Sequence, residues 1–304
     1  MHESEWQLTE RIRRLANLPR ATGLELGIGD DCAIFRPRGS DSDLLFTTDM
    51  LIEETHFRRQ THRAADVGWK ALARGLSDIA AMGGEPRFCL VSLALAPWTD
   101  SRWVDGFYRG LLKLARQSGA ALAGGDLSHA ERVMCDIVVC GAVSRGKPLR
   151  RDGARAGDAI YISGRLGGSA LGLASGRGAA WRRHLRPEPR LALGSFARTQ
   201  LRATAAMDLS DGLSLDLHRL CLASNLQALI DDPPLFRGAT LAQALHGGED
   251  YELLFTVPPR QAVPDEFEGL PLTRIGTMRK GQAGVVLLNG EPLPPLGYDH
   301  FRSL

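Results

Sequence analysis

The chain has 304 residues, of which 44% are apolar and 24% charged, and a formal net charge of +2. That is the balance of a folded globular protein, long enough for two domains. So small a net charge offers no basic field for DNA, RNA or anionic lipid, and no apolar run approaches the roughly 20 residues needed to span a bilayer.

Residues 1–23 are polar with a helical pattern, in which Ile12, Leu15 and Leu18 share a face. They lack the apolar core of a signal peptide, which predicts a cytoplasmic chain with no membrane partner. A short strand is expected over 44–47. Residues 64–82 read as a helix, with Val67, Ala71, Leu72, Leu76, Ile79 and Ala80 near helical spacing and Gly83-Gly84 ending it. A buried strand over 88–96 closes at Pro97. An amphipathic helix over 101–119 carries Trp103, Phe107, Leu111, Leu112 and Leu114 on its apolar side, and a strand follows over 133–143.

The loop 144–158 is rich in Arg, Gly and Lys, and the domain boundary is expected there, dividing the chain into 1–147 and 148–304. Beyond it, 159–163 reads as a strand and 167–175 as a short helix, while 176–189 has no clear period. A helix over 213–224 and strands over 251–257 and 285–288 follow, with prolines punctuating the tail. Strands alternate with helices in both halves, so the predicted class is α/β or α+β with two layers per domain. The cysteines, Cys32, Cys89, Cys135, Cys140 and Cys221, are odd in number and form no C-x-x-C pair, so they are expected to be reduced and buried.

The placement of aspartate is the most informative feature. It recurs beside Gly, Ser or Thr where apolar runs stop: Gly29-Asp30-Asp31, Thr47-Thr48-Asp49, Ser77-Asp78, Gly124-Gly125-Asp126, Asp208-Leu209-Ser210-Asp211-Gly212 and Gly247-Gly248-Glu249-Asp250. Each alone reads as a turn or helix cap. Together they suggest carboxylates converging on Mg²⁺ ions that bridge a polyphosphate, since Mg²⁺ takes few protein oxygens plus phosphate oxygens. Asp208 and Asp211 would share a face if their turn were helical; alternatively Ser210 or Asp211 caps the helix that follows.

Familiar phosphate motifs fail. Gly141 to Pro148 nearly spells a Walker A loop, but Pro148 brings neither a hydroxyl for Mg²⁺ nor an N–H for phosphate. Gly27-Ile28-Gly29 runs into two acids, so it is no dinucleotide fingerprint. H-R-D, D-F-G and G-x-S-x-G are absent. Among single residues, His56 suits a substrate phosphate or an ordinary loop. Tyr108 suits core packing, Arg150 and Arg151 suit phosphate or solvent, and Tyr298 suits stacking on a flat ring or anchoring the tail.

The full motif set, including Leu76-Ser77-Asp78-Ile79-Ala80-Ala81-Met82-Gly83, Arg151-Asp152-Gly153-Ala154, Met207 to Leu213 and Gly247 to Leu253, resembles the thiamine-monophosphate kinase family from about Glu5 to Phe301. The resemblance implies the two-domain fold shared with aminoimidazole ribonucleotide synthetase, dimerising through N-terminal strands, with ATP and several Mg²⁺ ions between the domains. It implies Asp31, Thr47, Thr48, Asp49, Asp78, Asp126, Asp208 and Asp211 as metal ligands. Tyr108, Gly125, Asp126, Arg151 and Ser210 would contact ATP, and His56, Glu249 and Tyr298 would contact thiamine monophosphate. No general base is implied, because a phosphate acceptor is already an anion. The stretch between Asp231 and Glu249 is shortened against that pattern. The rival readings are a sister ATP-dependent synthetase, a Mg-nucleotide sensor without turnover, and a carboxylate-rich phosphohydrolase.

Overall fold

A computed structural model of the chain describes residues 4–16 and 23–301. The first half runs α1 (Glu5–Leu15), β1 (Leu24–Leu26), β2 (Ala33–Phe35), β3 (Ser42–Ile52), α2 (Ala64–Ala81), β4 (Glu85–Leu95), α3 (Ser101–Ser118), β5 (Ala121–His129) and β6 (Met134–Ser144). Its strands form one sheet in the order β1-β2-β3-β6-β4-β5, antiparallel except where β4 runs beside β5. One face is covered by α2 and α3. Leu45 and Leu51 of β3, Val91 of β4 and Ile137 of β6 meet Leu72, Leu76, Phe107 and Leu111 there, all 0–1% exposed. The period of two then sends Phe46, Met50, Phe88, Leu90 and Val138 to the other face, where Met50 and Leu90 stand in solvent.

The second half runs β7 (Ala159–Ser163), α4 (Gly168–Ser175), α5 (Gly178–Leu185), α6 (Leu191–Thr199), β8 (Ala205–Asp208), α7 (Leu213–Ala223), β9 (Gln227–Ile230), α8 (Leu241–His246), β10 (Leu253–Val257), β11 (Glu266–Phe267), β12 (Leu270–Arg279), β13 (Val286–Leu288) and β14 (Glu291–Pro292). The second sheet has the order β14-β13-β9-β12-β7-β10-β8, with β11 beside β12. Leu213, Leu217 and Leu220 of α7 pack on one side of it, and Leu193 and Ala197 of α6 on the other.

Helix α2 belongs to both halves. Leu72, Leu76 and Ile79 face the first sheet, while Ala80 and Ala81 join the core that contains Leu193, Leu253 and Phe255. A helix buried on two sides must be apolar nearly all round. The charged residues it does carry, Asp66, Lys70, Arg74 and Asp78, fall four apart and form one stripe.

Several expectations needed correction. Residues 178–185 do form a helix, α5, whose only buried members are Ala180 and His184, one turn apart. Gly124-Gly125-Asp126 lies inside β5, not where an apolar run stops; a Cβ on Gly125 would meet the Val91 carbonyl oxygen at 1.9 Å, so only glycine lets the strands approach this closely. The turn between Asp208 and Asp211 is not helical, and neither Ser210 nor Asp211 caps α7: its N-cap is Gly212, and the Asp216 carboxylate accepts from the N–H groups of Asp211 and Gly212. Among the described residues all five cysteines are reduced and buried, and no helix is long and apolar enough to cross a membrane.

Candidate active site

The site begins where a strand runs out of neighbours. Strand β2 pairs with β3 only as far as Ala33 opposite Phe46, so β3 from Thr47 onward has only β6 beside it. The chain entering β2, Gly29-Asp30-Asp31, turns across this free edge. Alternation along β3 points Thr47 and Asp49 toward the polar stripe of α2. There the Thr47 hydroxyl donates to Asp78 at 2.5 Å, and Arg74 donates to Asp49 at 2.9 Å. Strand β8 delivers Asp208 at its last residue, where Ser77 donates to its carboxylate at 2.7 Å.

These elements bring Asp31, Asp78 and Asp208 together, with one oxygen of each inside 4.8 Å of the others. They lie in a cleft of about 1380 Å³ between the two halves of the chain. Burial pushes the Asp208 carboxyl up to about 7, and the neighbouring Asp31 adds to the shift. Asp78 is pushed well above the carboxylate range by burial, then by Asp49 and Asp208. Asp30 rises to about 7 through burial and Asp31. Asp31 is compensated by Arg151, whose guanidinium forks onto it at 2.5 and 3.2 Å. Buried acids held this close repel one another until a proton or a cation intervenes. A set of hard oxygen donors from separate elements suits Mg²⁺.

At the other end of the cleft stand His56 and Glu249. The His56 Nδ1 accepts from the Ile52 N–H at 3.0 Å, which orients the ring. Glu249 follows Gly247-Gly248 in a loop where Glu249 and Tyr251 adopt positive φ, at 55° and 50°. Between them Asp250 turns away and accepts from the N–H groups of Gly167 and Ser169 at the start of α4, so it braces the loop. Glu249 is left facing Lys70, whose buried ammonium approaches it to 2.6 Å. Burial opposes the Glu249 charge, yet Lys70 overrides it and holds the carboxyl at about 2.

Sorted by place, Asp31, Thr47, Thr48, Asp49, His56, Asp78, Arg151, Asp208, Ser210, Asp211, Glu249 and Tyr298 all line this cleft. Asp211 pairs with Arg219. Thr48 lies on the uncovered face of the sheet and donates to Asp136. Tyr108, Gly125 and Asp126 do not line the cleft. Tyr108 packs edge-on against Phe107, and Asp126 lies on β5, with β6 and β4 between that strand and β3.

The N-terminal domain family of AIR synthase related proteins matches residues 29–143, and the corresponding C-terminal domain family matches 155–289. The thiamine-monophosphate kinase of Escherichia coli strain K12 is 39% identical over 92% of this chain and 93% of its own. That of Rhodopirellula baltica is 36% identical over 94% of both. The chain belongs to the thiamine-monophosphate kinase family. The solved complex of AaThiL with AMPPCP and TMP superposes with a TM-score of 0.87 at 32% identity, covering 98% of this chain and 97% of that one.

Within a thiamine-monophosphate kinase family member, Lys70 and Arg74 are the residues that motif reading passed over. Their signal was present: two cations at four-residue spacing in a helix otherwise too apolar to face water, in register with Asp66 and Asp78.

Proposed function

We propose that this chain moves the γ-phosphoryl group of ATP directly onto the phosphate of thiamine monophosphate, giving ADP and thiamine diphosphate. This would be the last step in making that diphosphate. The observation that carries the reading is the meeting of Asp31, Asp78 and Asp208 in an interdomain cleft, in a chain related over its whole length to thiamine-monophosphate kinases. Mg²⁺ held by these acids supplies charge neutralisation for the polyphosphate and the transferring group.

The chain's own residues do the rest. Thr47 and Asp49 add oxygen donors beside the acids, and Thr48 and Asp211 offer further oxygens elsewhere on the cleft wall. Arg151 stands close enough to exchange its hold on Asp31 for a phosphate, a bidentate geometry that guanidinium serves well. Ser210 lines the same wall. His56, Glu249 and Tyr298 lie at the end where the acceptor's ring system would sit. His56 is kept neutral, with a pKa of about 3, by burial and then by Arg74, so it offers an N–H rather than a charge. No side chain need remove a proton, because the attacking phosphate oxygen is already anionic. Orientation and charge stabilisation suffice.

Tyr108, Gly125 and Asp126 fit this scheme only from a second copy. Met50, Asp136, Ser92 and Asp126 stand in one row across β3, β6, β4 and β5, so Asp126 is about 14 Å from β3 at ordinary strand spacing. We therefore propose a homodimer joined through the uncovered face that carries Phe46, Met50, Phe88 and Leu90. In it each N-terminal domain, 1–147, supplies Tyr108, Gly125 and Asp126 to its partner, and 148–304 completes the nucleotide and acceptor pocket. We propose a cytoplasmic location, where ATP is supplied.

The test is ADP release in the presence of ATP, Mg²⁺ and thiamine monophosphate, with the product identified by mass. ADP and thiamine diphosphate in equal amounts, both lost on chelation, support the reading. ATP binding with no turnover, or phosphate release without thiamine diphosphate, overturns it.

A further inference from the structure

Helix α2 links the two ends of the cleft. Lys70 pairs with Glu249 at one end, and Asp78 belongs to the three acids at the other. At 1.5 Å per residue these two positions lie about 12 Å apart along the helix axis, and Arg74 stands midway between them. Its side chain lines the cleft and is 14% exposed.

The guanidinium is fixed at two points. One nitrogen donates to the Asp49 carboxylate at 2.9 Å and another to the Met50 carbonyl at 3.0 Å. Those bonds use two of its five N–H groups, so donors remain for an anion in the cleft. Burial opposes the charge, but Asp49 overrides it, helped by Glu249 at one end and Asp78 at the other. Neighbouring groups do not duplicate this charge. Lys70 is committed to Glu249, and the His56 imidazole is neutral.

A phosphoryl group crossing from ATP at the acids to an acceptor phosphate near Glu249 passes this midpoint. The bond from the γ-phosphorus to the β–γ bridging oxygen breaks while one to an acceptor phosphate oxygen forms. ADP leaves with the electron pair, and no proton moves. Charge then spreads over the three equatorial oxygens of the group in flight. We propose that Arg74 donates to those oxygens and is a catalytic residue of the transfer, complementing the group in flight more than either bound phosphate. The inference rests on the kinase reading above. It assigns the middle of the α2 stripe a role separate from Lys70 and Asp78.

The test compares full-length wild type with Arg74→Met and Arg74→Lys. In Arg74→Met, kcat should fall about a hundredfold or more, while the KM values for ATP and thiamine monophosphate stay within about threefold. Arg74→Lys keeps a cation opposite Asp49 but loses the planar fork, and its kcat should fall about tenfold. A binding measurement separates catalysis from structure. ADP with aluminium fluoride, Mg²⁺ and thiamine monophosphate imitates the group in flight. It should bind Arg74→Met more weakly than wild type by about the factor lost in kcat, while the ATP analogue AMPPCP binds both alike. If Arg74→Met does not fold, the same measurements on Arg74→Lys decide. Wild-type kcat in either variant overturns the inference and leaves the kinase reading standing. So does an equal loss of affinity for AMPPCP and the aluminium fluoride complex, which marks a structural role. A wild type that does not turn over thiamine monophosphate overturns both.

Discussion

Asp208 and Asp78 carry their raised pKa values for a reason with a measurable consequence. A carboxyl whose folded pKa lies above the ordinary 3.8 stabilises the fold below that value and loses the contribution as pH rises through the folded pKa, here about 7 for Asp208. The metal-free protein should therefore lose thermal stability between about pH 4 and pH 7. Mg²⁺ binds the ionised form, so the gain in Tm on adding Mg²⁺ should be larger near pH 8 than near pH 6. Thermal melts with and without chelator check this, and Asp208→Asn should flatten the difference. Asp78→Asn should lower kcat by at least about a hundredfold while leaving the fold intact, since it removes one oxygen of the convergent set; near-normal turnover would remove Asp78 from the proposed metal site. A buried ion pair gives a third test. Lys70→Met leaves Glu249 without its partner and should cost about 3 kcal/mol in urea unfolding, the low end for a broken buried pair because Glu249 retains some solvent contact. Adding Glu249→Gln should restore much of the loss. The acids of this site were legible in the chain because each sits in a Gly- or Ser-flanked motif. Lys70 and Arg74 were not, since a lone cation among apolar residues acquires meaning only from what folds against it.

At the scale of elements, the long periodic segments were read well and the small-residue segments poorly. Helices α2 and α3 and strands β4, β6 and β7 declare themselves through runs of Leu, Ile, Val and Phe. Strand β5 does not, because Ala121 to Gly125 is built of alanine, glycine and a single leucine, and it is a strand only because β4 accepts it. Helix α5 is equally silent, being eight residues with two buried positions. Small residues also set how α2 meets α3. A Cβ on Gly68 would lie 2.0 Å from the Phe107 carbonyl oxygen, and one on Gly110 would lie 1.8 Å from that of Ala65. The helices cross backbone to backbone, and α2 thereby holds its polar stripe at a fixed depth above the sheet. Gly110→Ala should destabilise the protein by about 2 kcal/mol, the usual penalty for overpacking, despite the better helix propensity of alanine. Chemical denaturation reads the loss. The strain should also displace Asp78 and Arg74, so Mg²⁺ affinity should fall in the same variant.

The whole molecule poses a question that one copy does not answer: why the Gly124-Gly125-Asp126 motif, which belongs with the other acids by sequence, lies across the sheet from them. Strand order decides this, because β6 and β4 separate β5 from β3. No side-chain motion closes a gap of about 14 Å. The proposed two-fold dimer through the uncovered face would, and it would also cover Met50 and Leu90, which are 51% and 37% exposed. Leu90→Asp should then give a monomer in sedimentation and abolish turnover together. Subunit mixing tests the shared site more sharply. Asp78→Asn and Asp126→Asn should each be inactive as homodimers. In a mixed dimer one site receives Asp78 from one protomer and Asp126 from the other, both intact, while the second site receives both substitutions. Random exchange makes half the dimers mixed, so an equimolar mixture should recover about a quarter of wild-type kcat per site with an unchanged KM. A mixture that stays inactive after exchange has been verified would place Asp126 outside its partner's site, and the dimer would then be a matter of stability alone.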